Sequence, residues 1–356
     1  MSIDEIAVGV VGAGFGRYGL IPAFRRDPRC RIVALCTSTL ASAKEYASLL
    51  DIPRSFADYR QMFELVPMRA VAIAVPPRVQ PAIARAAIEA GIAVFAEKPF
   101  ASDLTGAREL LACASNVAMS TVVDFMFPEL VTWRRAHELI RAGQLGCIRH
   151  VMLDWRMESY DNARGGILWK TISEAGGGVL SHFGSHCFYH LEWFFGPIEC
   201  LMANLSSAPD LASTGDTMAT LGVQFLSGVT ASVSLCSAAL FGSGHRLEVY
   251  GDEGALVLSN STNDPVIGFE LLYGRRGDRA LLLIAHEEPD QHTADEDHRV
   301  PPVARLVSRF LDSVSGGTAV RPSFADGVRT QELIEAARRS AKDGGWVQVL
   351  PGGHTG

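Results

Sequence analysis

Short apolar runs alternate with helix-period segments throughout the first 123 residues, and this alternation constrains the fold more than any other feature. Strands are expected over 6–11, 31–36, 70–75, 91–96 and 117–123, and helices over 20–27, 40–50, 79–90 and 103–114. The strand segments are almost continuously apolar, which marks strands covered on both faces. Strand and helix in strict turn predict an α/β domain built on a doubly wound parallel sheet.

From Asp124 the texture changes. A helix over 129–141 is followed by strand-like segments at 148–157, 218–225, 230–236, 245–250, 255–258 and 266–272, with helices over 302–314 and 324–342. Strands that follow one another without intervening helices imply an α+β domain with an open, largely antiparallel sheet. The chain therefore divides at 1–123 and 124–356. Its 356 residues are too many for one compact core, and a hydrophobic fraction of 48% can fill two.

Composition excludes several classes. The net charge of −7 and the lack of a basic run argue against a nucleic-acid partner. Gly, Pro or a charge interrupts every apolar stretch before it could span a bilayer. The acidic start, Met1-Ser2-Ile3-Asp4-Glu5, is unlike a signal peptide. Seven scattered cysteines form no C-x-x-C pair, so neither a disulfide framework nor a metal site is expected, and a reducing cytoplasm is.

The first strand runs into Gly12-Ala13-Gly14-Phe15-Gly16-Arg17. Gly12 permits a tight bend, Gly14 lets the backbone approach a pyrophosphate, and the next helix presents its N-terminus to the anion. The third glycine of the G-x-G-x-x-G pattern would fall at Arg17. The second strand ends in Thr37-Ser38-Thr39, where a ribose-binding acid would stand in an NAD site. Hydroxyls there tilt the expectation towards NADP(H), with NAD(H) as the alternative. No arginine adjoins them, and the same residues also suit a helix N-cap.

The 91–96 strand delivers Glu97-Lys98-Pro99 to a strand's carboxyl end, where ligands of open α/β sheets bind. A lysine ending a buried strand needs a reason. Contact with a nicotinamide and a reacting hydroxyl supplies one.

Between the first two strands of the second domain, Gly176-Gly177-Gly178 precedes His182, His186 and His190. Their four-residue spacing puts them on one face of a helix. Three readings stand open: a metal pair at i, i+4, a general acid/base at the start of the helix, and a hydrogen-bonded polar stripe. The segment 160–170 reads as a loop in which Tyr160, Arg164, Trp169 and Lys170 are candidate substrate contacts, Arg164 and Lys170 for an anionic group and Trp169 for a sugar face.

Together these motifs resemble the Gfo/Idh/MocA family of glucose–fructose oxidoreductase and inositol dehydrogenase. The resemblance spans nearly the whole chain. It rests on the glycine turn, Pro76-Pro77, Glu97-Lys98-Pro99, the triple glycine with its histidines, Leu247-Glu248-Val249-Tyr250-Gly251, and Pro322-Ser323-Phe324-Ala325-Asp326-Gly327. It implies a nicotinamide-dependent dehydrogenase or reductase acting on CH–OH groups of sugars, cyclitols or their derivatives, and a homo-oligomer, dimer or tetramer, assembled through the second sheet. It implies Lys98 in contact with cofactor and substrate, His186 as acid/base, and His182 where the family carries an aspartate. Gln80 stands where a histidine is common, and the glycine turn looks one residue longer than usual. The expected cofactor contacts are Gly12, Gly14, Phe15, Gly16, Arg17, Thr37, Ser38, Val75, Pro76, Pro77, Glu97 and Lys98. Lys98, His182 and His186 join the four residues of 160–170 as substrate contacts. The resemblance also allows an NAD-dependent glycoside hydrolase. A non-catalytic dinucleotide sensor and a metal-dependent hydrolase built on the histidine row are the remaining alternatives.

Overall fold

A computed structural model describes residues 5–163, 168–211, 213–287 and 296–349. Arg164, a candidate substrate contact, lies outside the described residues. The chain divides into two compact units, residues 5–126 with 296–328, and 127–287 with 329–349. It thus returns to its first unit near the C-terminus, which the division at 123/124 did not anticipate.

The first unit holds six parallel strands: β1 Ile6–Val11, β2 Cys30–Cys36, β3 Ser55–Phe56, β4 Ala70–Ile73, β5 Ala93–Ala96 and β6 Thr121–Val123. Their spatial order is β3-β2-β1-β4-β5-β6. Strand order reverses between β1 and β4, so the loops leaving their carboxyl ends flank the crevice where such sheets take ligands. Every residue of β4, β5 and β6 is buried, as the apolar runs require. Side-chain caps start three of the crossover helices: Thr39 for Leu40–Leu49, Asp58 for Tyr59–Leu65 and Asp103 for Leu104–Asn116. The helix Val300–Val314 supplies Phe310, whose ring meets Phe95 at 5.7 Å and Phe24 at 6.4 Å. Nothing in the local pattern of residues 300–314 reveals that this apolar face completes a core begun 200 residues earlier.

Several expected boundaries moved: 70–75 shortens to Ala70–Ile73 and 91–96 to Ala93–Ala96, and two further elements changed more. The 117–123 strand shrinks to β6 because 117–120 form a turn, with Ala118 at φ +48°. The helix expected over 20–27 is a π-helical turn, Gly16–Leu20, leading into Ile21–Arg25; the Ile21 amide donates to the Gly16 carbonyl. A π-helical turn holds one residue more than an α-turn. The extra residue of the glycine segment is absorbed there.

The second unit is a nine-stranded sheet. Its strands are β7 Ile148–Arg156, β8 Ile198–Ser206, β9 Met218–Phe225, β10 Thr230–Cys236, β11 Gly244–Gly251, β12 Gly254–Asn260, β13 Glu270–Arg275, β14 Leu282–His286 and β15 Val347–Gln348. The order is β14-β13-β12-β11-β7-β10-β9-β8-β15, and only β7 with β10 pair in parallel. β8, β14 and β15 were missed in the sequence. The strand expected over 266–272 starts later, at Glu270, because a turn precedes it. There the Asn260 amide donates to the carbonyls of Asp264 and Ile267, and the Asp264 carboxylate accepts the Val266 and Ile267 amides.

Candidate active site

In the first unit four strand ends supply the candidate residues. Gly12 follows β1 with φ +99°, and a Cβ there would overlap the Ala74 carbonyl oxygen after β4. This position needs glycine on both counts. Gly14 differs: an added Cβ would meet nothing within 4 Å. A tight bend beside open, exposed backbone fits the pyrophosphate of a dinucleotide. Gly16 packs against Val10 and Ala74, which lie 3.4 and 3.7 Å from where a Cβ would stand, and so seats the helix on the sheet. Val75, Pro76 and Pro77 leave β4, and the Pro76 carbonyl accepts the Val79 and Gln80 amides at the start of helix Gln80–Glu89.

Thr37 is buried at the end of β2 and donates to the Thr39 carbonyl at 2.9 Å. Its hydroxyl also lies 2.6 Å from Ser42 Oγ. Both contacts serve the helix cap. Ser38 is exposed. Arg17, absent from the sequence neighbourhood of Thr37-Ser38, reaches the helix they introduce, with its guanidinium 4.8 Å from the Tyr46 ring.

Lys98 leaves β5 and is half-buried. The segment around it is clamped by Gln80, which is fully buried. The Gln80 amide nitrogen donates to the carbonyls of Glu97 at 2.6 Å, Phe100 at 3.1 Å and Pro99 at 3.3 Å. The residue that departed from the family pattern therefore holds the lysine segment in place. The Lys98 amide donates to the Glu97 carboxylate at 3.1 Å.

Asp124, at the end of β6, is 3% exposed and hydrogen-bonds the Glu97 side chain. Burial and the neighbouring Glu97 charge hold its carboxyl well above the ordinary range, against the opposing pull of Lys98 and Arg299. Burial also raises Glu97, and Lys98 opposes the rise. Both carboxyls of the pair are thus held above the ordinary range beside Lys98, with burial as the main cause. Sequence reasoning missed Asp124 and Arg299. Arg299 lies 4.4 Å from the Phe15 ring and bonds the Asp297 carboxylate at 2.6 and 2.8 Å. No local signal marks it, because the fold alone brings it beside the glycine turn.

In the second unit His182 occupies a π-helical turn, Leu180–Gly184, while His186 and His190 lie in helix Ser185–Phe195. The expected shared face is not uniform. His182 is half-buried, His186 is 6% exposed and His190 is fully buried. His182 lines a polar recess with Asp161, Asn162, Lys170, Asp216 and Ser237. The His186 ring sits 5.0 Å from Phe127 and 6.1 Å from Trp155. Asp216 orders the entry to the turn: its carboxylate accepts the Leu180 amide at 3.0 Å and its carbonyl accepts the Val179 amide at 2.7 Å. Burial raises the Asp216 carboxyl.

The segment 160–170 is not a plain loop. Tyr160–Ala163 forms a helical turn and Trp169–Thr171 a 3₁₀ turn. Lys170 pairs with the buried Asp161 at 3.0 Å, Trp169 is half-buried and Tyr160 is exposed. His182 and His186 fall in no group of metal-ligand geometry among the described residues.

Residues 6–125 match the family model described as oxidoreductase family, NAD-binding Rossmann fold. Residues 137–349 match the model of the same family's C-terminal alpha/beta domain. The chain belongs to the Gfo/Idh/MocA oxidoreductase family. An uncharacterized oxidoreductase of Synechocystis sp. is 31% identical over 97% of this chain and 96% of its own length. Levoglucosan dehydrogenase of Pseudarthrobacter phenanthrenivorans is 22% identical over 98% of this chain and 99% of its own. A solved levoglucosan dehydrogenase in complex with NADH and levoglucosan superposes with a TM-score of 0.84 at 20% identity, covering 98% of this chain and all of that one. This member is an oxidoreductase with a nicotinamide-binding Rossmann domain, and the glycine turn described above fits that cofactor. Among the described residues, no helix is long and apolar enough to cross a membrane.

Proposed function

We propose that this protein transfers a hydride between a nicotinamide and a secondary alcohol or ketone of a sugar, cyclitol or sugar derivative. The observation that carries the reading is the anchorage of Lys98: half-buried just past a strand's carboxyl end, it lies in a segment whose Glu97, Pro99 and Phe100 carbonyls accept from the Gln80 amide, beside the Glu97 and Asp124 carboxyls that burial raises. That arrangement suits stabilisation of a developing alkoxide. The sugar class is supported by the relative named as a levoglucosan dehydrogenase.

A dinucleotide held here would supply the hydride acceptor in oxidation and the donor in reduction. Gly12, Gly14 and Gly16, with Phe15, Val75, Pro76 and Pro77, would hold it. An imidazole nitrogen of His186 accepts the hydroxyl proton in oxidation and returns it in reduction. Lys98 would stabilise negative charge developing on the reacting oxygen. His182, Trp169, Tyr160, Arg164 and Lys170 orient the substrate. Because Asp161 already pairs Lys170, the lysine is a positioned donor rather than an unsatisfied charge. Exposed Ser38 and the reach of Arg17 towards helix Leu40–Leu49 favour a 2′-phosphate, and hence NADP(H) over NAD(H).

We also assign the open face of the second sheet to self-association, as a dimer or tetramer. Cross-strand register puts Met152, Met202, Met218 and Tyr250 on that face, all exposed.

The test is a panel of sugars and cyclitols with either dinucleotide, read by nicotinamide absorbance. Lys98→Met and His186→Ala should each lower turnover by roughly a hundredfold or more with a smaller effect on dinucleotide affinity. Full turnover in either variant removes that residue from the chemistry. Product formed without net change in the nicotinamide would favour the glycoside hydrolase. Binding of dinucleotide with no turnover on any substrate would favour a sensor.

A further inference from the structure

One cluster in the second unit takes no part in the chemistry above. Cys187 and His190, three residues apart on helix Ser185–Phe195, meet His245 at the start of β11. They are 1%, 0% and 5% exposed. One sulfur and two imidazole donor atoms lie within 4.8 Å of one another. Two ligands facing each other across a single ion at roughly 2.0–2.3 Å each would stand about 4–4.6 Å apart. The observed atoms, within 4.8 Å of one another, stand at or just beyond that limit.

The surroundings are aromatic. The His245 ring stacks on Trp155 at 4.3 Å, and His190 sits 4.7 Å from Trp133. Phe127 and Phe269 lie 5.3 and 5.6 Å from His245. Neither nitrogen of His190 or of His245 has a hydrogen-bond partner, nor has Trp133 Nε1. An unsatisfied buried polar group is costly, and here five such atoms sit together. Such a group of orphans calls for an occupant. A bridging water answers part of the need, but a thiol beside two imidazoles is the donor set of a soft cation.

We propose that Cys187, His190 and His245 form a buried three-donor site for a soft monovalent cation, copper(I), which staples helix Ser185–Phe195 to β11. The choice of ion follows from charge and coordination number. Cys187 binds as the thiolate and releases its proton to solvent, so copper(I) and two neutral imidazoles give a centre of zero net charge. Zinc would leave one uncompensated positive charge in an apolar shell and would seek a fourth ligand. No further His, Cys, Asp or Glu joins the group among the described residues.

The experiment is production of the intact protein in copper- or zinc-supplemented cells, reduction and desalting against a weak chelator, then metal analysis. About one copper per chain is expected, with an X-ray absorption signature of one sulfur and two nitrogens. Cys187→Ser and His245→Phe should lower copper at least tenfold while retaining the wild-type circular dichroism spectrum. Should either variant fail to fold, the absorption signature of the wild-type protein decides alone. Metal-free protein from both media, a signature without sulfur, or zinc in preference to copper overturns the proposal. A metal-free protein with full dehydrogenase turnover would refute this site and leave the proposed function standing.

Discussion

Gly14→Ala separates the dinucleotide turn's role in binding from its role in folding. An added methyl at Gly14 meets no atom of the chain within 4 Å, and the backbone there is not left-handed. Folding should therefore gain about 0.4–1 kcal/mol through the less flexible unfolded chain. Binding should suffer. The methyl occupies the surface that a pyrophosphate must approach, and loss of one hydrogen bond to a charged group costs about 1.5–3 kcal/mol. At about 1.4 kcal/mol per decade this is roughly a 10- to 150-fold weaker dissociation constant. Gly12→Ala is the control. Its left-handed backbone costs about 1–2 kcal/mol before the overlap with Ala74 is counted, so stability and binding should fall together. Denaturant unfolding and a fluorescence titration with NADPH and NADH measure the two quantities independently. Wild-type affinity in Gly14→Ala would refute the placement of the pyrophosphate at this turn.

Two further outcomes follow from the first unit. Asp124 has a raised carboxyl in the fold, so its proton contributes stability that is complete at low pH and lost as pH rises through the folded value. Asp124→Asn keeps the donor to Glu97. It should show a flatter stability profile than wild type above the ordinary carboxylate range; parallel profiles from denaturant unfolding across pH would refute the raised carboxyl. Arg17→Ala should reduce the preference for NADP(H) about tenfold, read as the ratio of kcat/KM values for the two dinucleotides, and an unchanged ratio would remove Arg17 from that selectivity.

The sequence made the first unit legible wherever local period and chemistry agree. β1 runs over the very residues expected, because a continuous apolar run before Gly12 has one stable solution. Lys98 stood out because a charge ending a buried strand contradicts its surroundings. What escaped detection is non-local. Asp124 follows an apolar strand and reads as an ordinary boundary residue until β5 and β6 pair and set it beside Glu97. Arg299 gains meaning only when residues 296–328 return to the first unit.

Gln80 carries the sharper lesson. As a residue type it registered as a departure from the family pattern, yet its amide nitrogen reaches three carbonyls of the Glu97–Phe100 segment. Substitution by residue type hides such a role, because the geometry asks only for a buried donor of the right length at that helix turn. The histidine row failed in the complementary way. Four-residue spacing presumes an α-helix, but the π-helical turn at Leu180–Gly184 changes the rotation per residue. His182 consequently faces a polar recess while His190 enters the aromatic core. One spacing in the sequence thus serves two environments with different chemistry, and only the backbone decides which histidine belongs to which.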